Sequence, residues 1–163
     1  MEIHVRHVEG SDTEAVAKIY TAPRAMWGTL QLPFRSLEAR RKRLTDLSPG
    51  EYLMVAEVDS EVTGTIGLQV NQSPRRRHSA SMFMGVRDDW QGKGVGTAMM
   101  QAVIDLADKW LNIKRLELEV YTDNEPALKL YKKFGFEIEG TLRSFAFRDG
   151  AFVDAYMMSR IKP

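Results

Sequence analysis

Two clusters of residues have the types and spacing to do chemistry. Residues 91–96 read Gln-Gly-Lys-Gly-Val-Gly, between a strand-like run and a long amphipathic helix. Glycines at alternate positions let a backbone turn sharply and approach a ligand closely. The helix that follows aims unpaired N–H groups and the positive end of its dipole at that ligand. Such a loop binds phosphate. The second cluster is Asn124-x-x-Ala127-x-x-Leu130-Tyr131, followed by Gly135-Phe136. Tyr131 lies seven residues, two helical turns, after Asn124, so both can address one groove. Each cluster also has a plain structural reading: the glycines as turn residues, and Tyr131 as an aromatic on a buried helix face.

The surrounding pattern predicts the elements that position these residues. Ile3, Val5 and Val8 mark a first strand, and Ser11-Asp12-Thr13-Glu14 reads as a capping box opening a helix through Val16, Ile19 and Tyr20. Thr21–Phe34, with Pro23, Gly28 and Pro33, reads as an unusually apolar loop, and Ser36–Leu47 as a basic helix. Tyr52–Val58 and Thr63–Val70 form a hairpin around Asp59-Ser60-Glu61, and Ser79–Val86 is the next strand. Thr97–Leu111 is a helix with an apolar stripe of Met99, Ala102, Val103, Leu106 and Trp110. Leu116–Tyr121 alternates as a strand, Pro126–Phe134 is a short helix ended by Gly135, and Phe145–Phe147 pairs with Phe152–Met158 across Arg148-Asp149-Gly150. The order β-α-α-β-β-β-α-β-α-β-β predicts an α/β (α+β) chain with one mixed sheet covered by helices.

Composition narrows the function classes. A chain of 163 residues points to one domain over 1–163 with a substantial core. A net charge of +1 gives no general attraction to nucleic acid or membranes, so neither is an expected partner. The absence of cysteine excludes disulfides, thiolate metal sites and a cysteine nucleophile. His4, His7 and His78 are scattered without ligand spacing, so no metal is expected. The N-terminus lacks the apolar core of a signal peptide and no run approaches membrane-span length, which makes the cytoplasm the default location. Arg75–Arg77 reads as a solvated turn, with adenosine phosphates, nucleic acid or an acidic substrate as alternatives.

The phosphate loop fits neither common nucleotide motif. A dinucleotide fold needs Gly-x-Gly-x-x-Gly after the first strand, whereas Gly92-x-Gly94-x-Gly96 follows a meander far from the N-terminus. A P-loop needs Ser or Thr after Gly-Lys, and Lys93 is followed by Gly94. Gln91-x-x-Gly94-x-Gly96 together with the Asn124–Tyr131 signature resembles the GCN5-related N-acetyltransferases (GNAT family). The likeness runs from about Ile3 to Met158. Within the family, Gln69-x-x-x-x-Pro74-Arg75-Arg76, Gly135–Thr141 and Asp149-Gly150-x-x-Val153-Asp154 are most similar to bacterial L-amino-acid N-acetyltransferases.

That resemblance implies a mostly antiparallel sheet of about seven strands with about four helices, splayed between the fourth and fifth strands. It implies acetyl-CoA as co-substrate. The pyrophosphate would lie on backbone N–H groups of Gly92, Lys93, Gly94, Val95, Gly96 and Thr97, with Gln91 completing the cradle. The pantetheine arm would pair with Met84 and Val86 where Gly85 eases a bulge, and Asn124 and Ala127 would flank the cofactor. Tyr131 would protonate the departing sulfur as catalytic acid. Strand alternation puts Glu117 and Glu119 on one face, where either can accept the amine proton directly or through water, with bulk solvent as the alternative base. Trp27, Leu30, Leu32 and Phe34, whose plain reading is core or dimer contact, sit in the region that would line an acceptor pocket, Leu32 and Phe34 foremost, and an apolar lining suits an apolar amino-acid side chain. The implied reaction is acetylation of a small-molecule primary amine, foremost the α-amine of a free L-amino acid. A polyamine, an amino-acid-like toxin, a protein N-terminus or a non-catalytic acyl-CoA sensor stand as alternatives. Homodimers are common in the family, and the C-terminal hairpin or an apolar strand edge offers the contact.

Overall fold

Strand alternation sends every second side chain to the same face, and here the two faces receive different helices. The computed structural model describes residues 1–163. Seven strands, β1 (His4–His7), β2 (Glu51–Val58), β3 (Glu61–Val70), β4 (Ser79–Val86), β5 (Arg115–Tyr121), β6 (Glu137–Arg148) and β7 (Ala151–Ile161), form one sheet in the order β1-β2-β3-β4-β5-β7-β6. Every neighbouring pair is antiparallel except β4 and β5. Five helices cover it: α1 (Thr13–Thr21), α2 (Pro23–Trp27), α3 (Leu37–Thr45), α4 (Val95–Lys109) and α5 (Glu125–Lys133).

On one face Ile66, Leu68, Ala80, Met82, Leu116, Leu118 and Met158 meet α4 and α5, with Val95, Met99, Val103 and Ala107 fully buried. On the other, Leu53, Val55 and Val62 meet Val16, Ile19, Tyr20, Ala25 and Leu44 from α1, α2 and α3. Both faces are therefore dry, which explains why β3 reads as a nearly continuous buried run.

Local details depart from the sequence reading in five places. The stretch read as loop contains α2, started by Pro23 at its first turn and stopped at Gly28, so the helices number five rather than four. The apolar stripe of α4 omits Trp110, which follows the last helical residue and is 79% exposed. The cap of the first turn is formed by Asp12, whose carboxylate accepts the Glu9 N–H at 2.8 Å, rather than by a box starting at Ser11. Strand β6 begins at Glu137, well before Phe145, because β7 offers it a continuous edge. Gly85 sits in an unbroken β3–β4 ladder, with no bulge. Its lack of a side chain serves packing: a Cβ there would stand 2.8 Å from the Tyr20 ring.

Arg6, Asp12 and Glu57 tie the first strand to the start of α1. Arg6 donates two bonds of 2.9 Å to Asp12 and further bonds to Glu57 on β2. The guanidinium holds the Asp12 carboxyl below the usual carboxylate range. A depressed folded-state pKa contributes stability above the unfolded value, and that contribution is lost as pH falls through the folded value. Asp12→Asn is accordingly expected to lose about 1–3 kcal/mol at pH 7 by urea unfolding. The gap to wild type should close below about pH 4; a gap independent of pH would show that the carboxylate charge is not what matters.

Candidate active site

Parallel pairing of β4 with β5 covers only Ser79–Ser81 against Arg115–Glu117. Beyond it the strands part. The phase of each ladder fixes what faces the gap. Arg87 N–H bonds Thr63 C=O, so Val86 opposite Gly64 is a non-hydrogen-bonded pair and turns its own N–H and C=O away from β3. The same phase applies to Met84. On the other side, Thr122 N–H bonds Asp154 C=O, which turns the backbone groups of Tyr121 and Glu119 away from β7. The gap is thus edged by Met84 and Val86 on β4 and by Glu119 and Tyr121 on β5.

Both motif clusters meet at this gap. Gln91 donates its side-chain amide to Val86 C=O at 3.2 Å, so of the two Val86 backbone groups turned from β3 the carbonyl is engaged and the N–H stays open to the gap. Gly92 and Gly94 adopt φ of +74° and +89°, the left-handed region that favours glycine. Gly94 is the N-cap of α4, and the first helical bond is Ala98 N–H to Gly94 C=O at 3.0 Å. The N–H groups from Gly92 to Thr97 find no acceptor within the chain. Six consecutive amides are therefore available to an anion. Lys93 places its ammonium 5.0 Å from the centre of the Trp90 ring, and Val95 turns its side chain into the core.

Asn124 is the N-cap of α5, accepting the Ala127 N–H at 3.3 Å, so its carboxamide oxygen is engaged while its NH2 is left to donate. Tyr131 is 7% exposed and lines the cleft, and burial pushes its phenol up to about 12.

A cleft of about 1150 Å³ runs through the gap from the α4–α5 face to the α1–α3 face. That exceeds the usual size of a single small-ligand pocket. Its second half is walled by Trp27, from the apolar loop expected to line the acceptor pocket, and by Tyr20, Arg40, Tyr121, Phe145 and Arg148, which the sequence did not single out. Arg148 lies 4.0 Å from the centre of the Trp27 ring and 5.0 Å from that of Tyr121, and it pairs with Asp123. Leu30 and Gln31 line the cleft, whereas Leu32 and Phe34 stand in solvent, 72% and 103% exposed. The loop turns over at Phe34, where φ is +63°, and carries both side chains outward. The two candidate bases separate as well. Glu117 is held by Arg115 at 2.8 Å and Arg76 at 3.3 Å, while Glu119 lines the cleft with no ion pair.

Comparison with known proteins agrees with this geometry. The model of the acetyltransferase (GNAT) family matches residues 15–136. The chain belongs to the GNAT acetyltransferase family. By that membership it is an N-acetyltransferase, an acyl-transferring enzyme. Among GNAT relatives, the L-amino acid N-acetyltransferase AaaT of Escherichia coli (strain K12) is 44% identical over 161 residues, covering 99% of each chain. The spermidine N(1)-acetyltransferase of the same strain is 33% identical over 109 residues, 66% of this chain and 57% of that one. A ribosomal-protein-alanine N-acetyltransferase from Brucella melitensis superposes with a TM-score of 0.85 at 25% identity, covering 98% of this chain and 99% of that one. The splayed seven-stranded sheet is the GNAT fold. No helix is long and apolar enough to cross a membrane.

The left-handed N-cap gives a direct test. Gly94→Ala is expected to lower stability by about 1 kcal/mol in urea unfolding, through backbone strain alone, since the nearest atom to a Cβ there is 3.7 Å away. Gly140→Ala, with open space and no positive φ, should leave stability nearly unchanged; equal losses would remove the conformational argument.

Proposed function

We propose that the protein transfers the acetyl group of acetyl-CoA to the α-amine of a free L-amino acid with an apolar side chain. The observation that carries the donor half is the row of acceptor-less amides from Gly92 to Thr97 beside the open strand edge of Met84 and Val86. A diphosphate fits the first and an amide-bearing arm fits the second. The acceptor half is supported by the end-to-end match to an L-amino acid N-acetyltransferase and by the aromatic lining from Trp27, Tyr121 and Phe145.

Acetyl-CoA supplies an activated thioester; the chain's own residues do the rest. The amides of the α4 N-terminus bind the diphosphate without needing a side-chain charge. Val86 N–H, left free by the β3–β4 ladder phase, would stabilise the charge that develops on the thioester oxygen during attack. Asn124 offers its NH2 to the cofactor, and Ala127 leaves room beside it. Glu119 is the unpaired carboxylate of the cleft, since Asp123 is bound to Arg148, and it accepts the amine proton directly or through water. Tyr131 faces the departing sulfur. With its phenol near 12 and a thiol near 8.5, complete transfer runs uphill, so Tyr131 works chiefly as a hydrogen-bond donor while thiolate charge develops.

The same reading includes a homodimer. Phe147 and Phe152 support it, their rings tilted at 60° with centres 5.1 Å apart and 66% and 70% exposed on the outer hairpin. The reading also includes a cytoplasmic setting.

Release of free CoA thiol, measured across amino acids, polyamines and short peptides, tests the function. Apolar amino acids should turn over fastest; turnover of peptides alone would transfer the assignment to protein N-termini, and no turnover with any amine would indicate an acyl-CoA sensor. Tyr131→Phe is expected to lower kcat at least tenfold with little change in KM for acetyl-CoA. Because burial keeps the phenol protonated until about pH 12, wild-type kcat should show no loss near pH 10 from tyrosine ionisation. Unchanged turnover in the phenylalanine variant would remove Tyr131 from the chemistry.

A further inference from the structure

Arg40 is the one buried arginine of the chain that faces no carboxylate. It lies on α3, is 4% exposed, and lines the α1–α3 half of the cleft. Its Nη1 reaches only the side-chain oxygen of Gln31, at a long 3.4 Å. Its Nε and Nη2 are buried without any acceptor. The neighbouring Arg43, also in the cleft wall, is paired with Glu51, and Arg148 is paired with Asp123. A guanidinium stays charged at any ordinary pH and carries five donors in a planar fork matched to a carboxylate. Burying that fork without acceptors is costly, and a fold gains nothing from it by itself.

We propose that the Arg40 Nε and Nη2 donors bind the α-carboxylate of the acceptor, which makes this residue the determinant that selects amino acids over simple amines. The proposal rests on the amino-acid reading above and names the group that enforces it. The charges of the cleft then complement a zwitterion, with Glu119 toward the ammonium and Arg40 toward the carboxylate. Tyr20 and Thr65 line the same half of the cleft. Arg35, also lining the cleft, adds positive charge near Arg40 and strengthens the preference for an anion. Polyamines lack the carboxylate and meet an uncompensated cation instead. Peptides fail because their α-carboxylate is consumed in the amide bond.

The test compares L-phenylalanine with L-phenylalaninamide, and L-leucine with L-leucinamide, as acceptors for wild type, Arg40→Gln and Arg40→Lys. Arg40→Gln should lose about a hundredfold in kcat/KM on each acid, mostly through KM, and less than threefold on each amide. Arg40→Lys should recover part of the loss on the acids, since it keeps charge but not the fork. Equal losses on acid and amide would overturn the proposal and assign Arg40 to structure alone. Thermal melting adds a second readout. Removing an unpaired buried charge should raise the Tm of Arg40→Met, whereas loss of a structural contact lowers it. If no variant folds, the wild type decides: with CoA present, L-phenylalanine should raise Tm and phenethylamine should not, and equal shifts would overturn the assignment. A wild type that acetylates spermidine or phenethylamine but no amino acid would instead overturn the acceptor reading, independently of any variant.

Discussion

The early end of β4–β5 pairing is the constraint on which the rest of the site depends. A strand edge inside a sheet ordinarily satisfies every backbone group against its neighbour. Here the two strands share three residue pairs and then separate, so Met84, Val86, Glu119 and Tyr121 keep polar backbone groups with no strand to meet them. The separation persists because each strand is held on its far side: β4 by a seven-pair ladder with β3 and β5 by a seven-pair ladder with β7. At the closed end, the Lys114 and Arg115 N–H groups both bond His78 C=O, and Arg76 pairs with Glu117. An opening that would be a defect elsewhere becomes a docking edge, with the amide-rich start of α4 at its mouth.

Placing helices on both faces gives the opening two distinct sides. α4 and α5 supply the glycine loop, Asn124 and Tyr131; α1, α2 and α3 supply Tyr20, Trp27 and Arg40. Close backbone contact holds the two sides in register with the sheet. Gly85 lets Tyr20 rest on β4, so the α1 wall of the cleft is built directly against that strand. Both halves of the cleft are thus built on the same sheet.

What was legible in the chain was what spacing encodes. The glycine loop, the Asn124–Tyr131 pair and the seven strands follow from short-range patterns, and the structure brings the two motifs to one gap. The residues that spacing missed owe their roles to distant contacts. Arg40 belongs to a strongly basic helix, and only the packing of α3 against α1 buries it. Tyr20 matched the apolar stripe of α1, and nothing local marks it as a cleft residue. Leu32 and Phe34 were the reverse case, apolar residues in a loop that tertiary geometry turns outward. Gly85 could be read as a bulge or as a packing site, and the neighbour that decides between them lies sixty-five residues away.

The placement of β7 between β5 and β6 has a consequence for how little of this chain can work alone. Residues 15–136 carry every signature of the family, yet they stop short of the strand that backs β5. Arg148, wedged between Trp27 and Tyr121, then locks the tail's outer turn to the rim of the cleft. The terminal segment is thus a keystone: a fragment trimmed to its recognisable motifs would keep the vocabulary of the enzyme and lose the wall against which its fifth strand stands.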